Sequence, residues 1–79
     1  MAVGGGVMTL NEVAAELHDY LSFRALREGV GCSLNRKSFL EQLRAGVTSF
    51  FGIRIGPDGI EDDKQNPSAL EAWRHRRLN

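Results

Sequence analysis

The stretch Ser38 to Gly52 (SFLEQLRAGVTSFFG) carries the densest periodic apolar signal of the chain, and the remainder has to be arranged around it. On a helical wheel Phe39, Leu40, Leu43, Val47, Phe50 and Phe51 fall within a stripe about 120° wide, the width of a core-facing helix surface. Three of the four phenylalanines sit there. Ser38 with Glu41 reads as a capping box, Ser33 and Asn35 are further candidates for the cap, and Gly52 reads as the residue that closes a helix in the left-handed conformation. The spacing therefore predicts a central helix over residues 36–51. On its opposite face Gln42, Ala45, Gly46 and Ser49 are small or polar. A glycine inside a helix costs roughly 1 kcal/mol relative to alanine, so keeping Gly46 there suits a close helix–helix approach.

The flanks add two further helices. Thr9 and Glu12 form a capping box ahead of Leu10, Val13, Ala14, Leu17, Tyr20 and Leu21, which recur on one helical face. Beyond Leu21 the stripe rotates, because Phe23, Leu26 and Val30 point away from it. With no glycine or proline near residues 19–22, one continuous helix to Gly29 is the favoured reading over two short ones. Asn66 followed by Pro67 reads as an N-cap and first helical position, opening a helix that runs to Arg77 with Leu70 and Trp73 on its apolar face. Between these helices Ile53, Arg54 and Ile55 alternate before the turn residues Gly56, Pro57, Asp58 and Gly59, the signature of a small hairpin or ordered turn. Glu61, Asp62 and Asp63 read as a solvated acidic loop.

These elements predict an all-α domain of three helices over residues 9–79, with a short turn or hairpin between helices two and three and a mobile tail over residues 1–8. The expected core is Leu10, Val13, Leu17, Leu21, Leu40, Leu43, Val47, Phe50 and Phe51. At 79 residues the chain is near the lower limit for a self-supporting core. Ten basic and ten acidic side chains cancel, which removes the general attraction on which non-specific nucleic-acid binding depends. The signs alternate by segment: residues 1–30 sum to −2, 31–52 to +2, 53–66 to −2 and 67–79 to +2. A lone cysteine, Cys32, and the lack of a leader-like or membrane-spanning apolar run fit a cytoplasmic protein.

No catalytic, cofactor or metal pattern emerges. His18 and His75 have no second ligand at a metal-binding spacing, and Cys32 has no assignable base. Asp58, Glu61, Asp62 and Asp63 lack the alternation of a calcium loop. The basic run Arg74, His75, Arg76 and Arg77 stands where cations complement a helix C-terminus, and Trp73 beside it is a core residue or an interface anchor.

The segments TLNEVAAEL (9–17) and SFRALREG (22–29) resemble the helix-turn-helix of excisionase-like and MerR-like regulators. That resemblance implies a DNA-binding regulator with Arg24 and Arg27 facing the groove. Glu12, Glu16, Asp19 and Glu28 in the same segment repel phosphate and place this reading second. The leading expectation is a non-enzymatic adaptor, regulator or inhibitor, of the compact kind encoded by phages and mobile elements. It would bind another protein, or a second copy of itself, through Trp73, Arg74, Arg76, Arg77 and Arg54, with no cofactor and no membrane. A third reading is an accessory subunit of a larger enzyme.

Overall fold

The computed structural model describes residues 7–31 and 33–78, the side chains of Arg77 and Leu78 excepted. In chain order it contains α1 (Leu10–Glu28), α2 (Arg36–Arg44), β1 (Ser49–Phe50), β2 (Ile53–Gly56), β3 (Gly59–Asp63) and α3 (Pro67–Leu78). The three strands form one antiparallel sheet in the order β1-β2-β3. The protein is therefore α+β, and the all-α expectation is corrected. No described helix is long and apolar enough to cross a membrane.

α1 is one unbroken helix of 19 residues. The Glu12 N–H donates to Thr9 Oγ1 at 3.2 Å and the Thr9 N–H to Glu12 Oε1 at 2.8 Å, so the capping box is formed in both directions. Val13, Ala14, Leu17, Tyr20 and Leu21 are buried. The rotated second stripe is not: Phe23 is only partly covered, and Leu26 is 77% exposed. Residues 1–6 of the expected tail lie outside the described residues. Met8 belongs to the fold, since its N–H donates to the Pro57 carbonyl at 3.0 Å and its side chain packs against the core.

The central helix is shorter than its apolar stripe. Of its candidate caps, Asn35 is the one used, accepting from the Lys37 N–H at 2.8 Å. The helix ends at Arg44. Gly46, with φ 96°, closes it: the Gly46 N–H donates to Leu43 O and the Val47 N–H to Gln42 O, both at 3.0 Å. This is the paired bonding of a left-handed helix stop, so the small-residue face of the expected longer helix does not form. Past it the β-branched Val47 and Thr48 suit extended backbone. From Ile53 on, after the turn at residues 51–52, burial alternates, with Ile53 and Ile55 buried and Arg54 exposed between them. A short apolar run fits both periods, and the flanking glycines and β-branched residues separate them.

The expected hairpin at Gly56–Gly59 is present and belongs to the larger sheet. Its register slips once: Arg54 pairs with Asp62 but Ile55 pairs with Ile60, which leaves Glu61 as an extra residue. Such a bulge re-aims the residues that follow it. Strict alternation from the buried Ile60 would turn Asp62 inward. The bulge turns Asp63 inward instead, to 1% exposure, so the solvated acidic loop is in part a core element.

One face of the sheet lies against α1 and α3, where Leu17, Tyr20, Ile53, Ile55, Leu70 and Trp73 complete the core. Of the expected core, Leu10 is 45% exposed, Val47 37% and Phe51 55%, and Leu40 is only partly buried. The corrections at Val47 and Phe51 share one cause, the end of α2 at Gly46. Asn66 does cap α3, accepting from the Ala69 N–H at 3.2 Å through Oδ1.

Two substitutions check this arrangement. In a helix interior Gly46→Ala would stabilise by about 1 kcal/mol, whereas at a positive φ it should destabilise by about 1 kcal/mol or more. The sign of the change in denaturant midpoint decides between them. Leu17→Ala, at a fully buried position, should cost about 2–5 kcal/mol through the cavity it leaves, which thermal unfolding by circular dichroism will register.

Candidate functional site

Most of the charged and aromatic residues that the sequence offers as contacts are engaged inside the fold. Trp73 is buried to 4% exposure, meets the Tyr20 ring edge-on at 5.3 Å and donates from Nε1 to Asp19 Oδ2 at 3.3 Å. It presents no ring to a partner. Arg74 donates through one terminal nitrogen to the carbonyls of Ile60 and Glu61 at 3.3 and 2.9 Å, capping the outer edge of β3. The Arg76 guanidinium stands 5.3 Å from the centre of the Phe23 ring, with that of Arg27 at 5.8 Å from the same ring. The Arg77 side chain and Cys32 lie outside the described residues. Arg54 is on the solvent face of β2, within 3.2 Å of Glu61 and 3.4 Å of Asp62. The contacts chosen from the sequence are thus dispersed over two faces.

The groove-facing role that the helix-turn-helix resemblance implies for Arg24 is not available in this fold. α1 has no turn at residues 18–21, and Arg24 is directed into the protein. Its NH1 donates to Asp63 Oδ2 at 2.6 Å, with the arginine side chain 13% exposed and the carboxylate wholly buried. The Tyr20 hydroxyl donates to the same oxygen at 2.7 Å. The backbone N–H groups of Gln65 and Asn66 donate to Asp63 Oδ1, each at 3.0 Å. Asn66 then extends the cluster outward, donating from Nδ2 to Glu28 Oε2 at 3.1 Å.

Electrostatics follow from that geometry. Burial by itself raises the Asp63 pKa. The hydrogen bonds from Tyr20, Arg24 and the Asn66 backbone, with the charge of Arg24, outweigh it and hold the carboxyl below its ordinary value. Burial, together with the adjacent Asp63 carboxylate, pushes the Tyr20 hydroxyl well above the usual tyrosine range. The cluster is a structural tie among α1, β3 and α3, with Asp63 reaching the wall of a hollow beside α3 and Arg24 that of a groove beside Phe51.

Phe51 and Gly52 form the two-residue connection between β1 and β2, since Phe50 pairs directly with Ile53. Both residues have positive φ, 53° and 80°. That is the turn geometry that normally takes Asn-Gly or Asp-Gly. A phenylalanine in the left-handed region costs about 1 kcal/mol or more, and this one leaves its ring 55% exposed. Phe51 borders two shallow grooves. One, of about 280 Å³, is lined by Leu21, Ala25, Val30 and Leu34 among others. The second, of about 390 Å³, runs between α2 and β1 past Leu34, Ser38, Phe39, Gln42 and Ser49. Val30, 54% exposed, continues the apolar surface. A larger hollow of about 730 Å³ between β3 and α3 mixes Glu61, Asp62 and Glu71 with Lys64, Arg74 and His75. Its arginine already caps β3, and its charges are of both signs. Among the described residues no three histidine, cysteine, aspartate or glutamate side chains gather in a way that could hold a metal ion.

Sequence reasoning placed Phe51 in the core. The legible signal was the local pair Phe51-Gly52 between two apolar runs, where a turn residue and a bulky ring compete for one position. Against known protein families, curated proteins and solved structures, the chain has no match.

The Asp63 cluster makes a sharp prediction. Asp63→Asn should cost about 3–5 kcal/mol, because it leaves Arg24 buried beside a neutral group. That approaches the whole stability of about 4–12 kcal/mol expected for a chain of this length. The depressed carboxyl contributes stability above the ordinary aspartate pKa, near 4, and loses it as pH falls further. The raised tyrosine contributes below the ordinary tyrosine pKa, near 10, and loses it as pH rises further. Unfolding free energy measured against pH should therefore hold a plateau between those limits and fall on both sides.

Proposed function

We propose that this protein acts as an adaptor or regulator that binds another protein through the surface around Phe51. One observation carries the reading: an aromatic ring is held half in solvent on a backbone conformation that disfavours it. Local strain of this kind persists where surrounding structure over-determines it, and it gathers at binding and switching positions. For stability alone asparagine would serve better in such a turn. Aromatic side chains are over-represented among the few residues that dominate binding energy, and they do so beside apolar pockets. Phe51 has two such grooves at its flanks and the exposed Val30 nearby.

The contact surface inferred from sequence, around Trp73 and the C-terminal arginines, is less suited to this role. Trp73, Arg74 and Arg76 already contact Tyr20, β3 and Phe23. Binding through them would have to compete with bonds that hold α3 in place.

The test is Phe51→Asn. It should leave the unfolding free energy unchanged or raise it by up to about 1 kcal/mol, and it should abolish recovery of the partner in affinity capture from a nuclease-treated lysate of the source organism. A partner recovered equally by the variant, or recovery that nuclease alone removes, would overturn the reading.

A further inference from the structure

The two edges of the sheet are finished differently. In an antiparallel ladder, pairs that exchange both N–H···O bonds alternate with pairs whose N–H and C=O point away from each other. The Ile55 N–H donates to Thr48 O at 2.8 Å, while Ser49 faces Arg54 and Phe50 faces Ile53. Thr48 and Phe50 thus bond inward to β2, and Ser49 turns its N–H and C=O to the outer side of β1. On β3 the same alternation turns Ile60 outward. There its N–H donates to Glu16 Oε2 at 3.1 Å and its carbonyl accepts from Arg74 at 3.3 Å. Side chains of α1 and α3 therefore close the β3 edge, as folded proteins do to prevent unwanted pairing. At Ser49 no donor or acceptor among the described residues plays that part.

Beside the open edge lies the groove between β1 and α2, of about 390 Å³, with Leu34, Phe39 and Phe50 as its apolar lining and Phe51 at one end. What enters lies between a strand edge and a helix, the setting for one extended chain and not for the broad edge of another sheet. No lining residue carries a charge. The basic residues of the adjoining helix lie on its other faces, Arg36 and Lys37 lining a separate hollow against α1.

We propose that β1 takes up an extended peptide segment of the partner as a fourth strand, an inference that rests on the protein-binding reading above and names the form of the partner. The peptide backbone bonds to the Ser49 N–H and C=O. One large apolar side chain sets against Leu34, Phe39 and Phe51, because alternate residues of a strand point to one side. Affinity comes from main-chain bonds and specificity from the pocketed side chain, as in other cases of strand addition.

A display library of linear dodecapeptides, panned against the full chain, supplies the probe. The recovered peptides are titrated into wild type, Ser49→Ala, Ser49→Pro and Phe51→Asn. Proline at Ser49 removes an outward N–H without breaking a ladder bond, an edge position where proline is tolerated. Recovered peptides should carry a large apolar residue within an uncharged stretch. Ser49→Ala should bind them as wild type does, and Ser49→Pro about tenfold or more weakly, the scale of one lost backbone hydrogen bond. The Ser49 amide of the wild-type chain should exchange with solvent more slowly once peptide is bound, and this measurement decides the matter if Ser49→Pro does not fold. Undiminished binding by Ser49→Pro, unchanged Ser49 exchange, or a library that yields no peptide overturns strand addition. If Phe51→Asn still loses the peptide while Ser49→Pro keeps it, only strand addition fails; if neither substitution alters binding, the Phe51 reading fails with it.

Discussion

The carboxylate of Asp63 accepts from Tyr20, Arg24, Gln65 and Asn66, and through those bonds three elements that are distant in sequence are set against one another. α1 supplies a phenol and a guanidinium, β3 supplies the carboxylate, and the connection into α3 supplies two backbone N–H groups. Placing an ion pair in a core costs desolvation that its attraction need not repay, so such a cluster specifies an arrangement more than it deepens stability. An apolar residue at position 63 could fill the volume, but it would not tell α3 where to start. Asn66 shows the coupling: its N–H is tied to Asp63 while its side chain caps α3 and reaches Glu28.

That cluster depends on one irregularity of backbone pairing. The extra residue at Glu61 puts Asp63 on the core side of β3 and leaves Glu61 and Asp62 to meet Arg54 on the solvent side. The acidic run is thereby divided between two environments. Arg74 and Glu16 then close the outer edge of the same strand. Polar groups from α1 and α3 are concentrated at β3, and the opposite edge, at β1, carries an exposed phenylalanine and an outward-facing backbone pair. The division into a tied side and an open side is what the functional proposal builds on.

Several features were legible because they are local. The capping box at Thr9 and Glu12, the Asn66-Pro67 start of α3 and the turn at Gly56–Gly59 each rest on bonds or torsions within a few residues, which the sequence specifies directly. Continuity of α1 through residues 18–21 followed from the absence of any breaker. The spacing of Trp73 with Leu70 puts it on the apolar face of α3, which is where it is buried, although the sequence also offers it as the first residue to contact a partner.

What stayed hidden required a partner far along the chain. The stripe of residues 39–51 satisfies a helical wheel, but Gly46 stops the helix and Phe50 joins a strand that exists only because Ile53 pairs with it. Asp63 and Arg24, 39 positions apart, look like two solvated charges until the bulge brings them to 2.6 Å. Phe51 counts as core on the wheel and is left in solvent by the turn. The sequence by itself determined where α1 and α3 start, that the chain turns at Gly56–Gly59 and how much apolar surface needs cover. Only the tertiary structure decided which charges are buried, which strand edge stays open and which aromatic ring faces water, because burial and pairing are properties of two surfaces meeting and neither surface encodes the other.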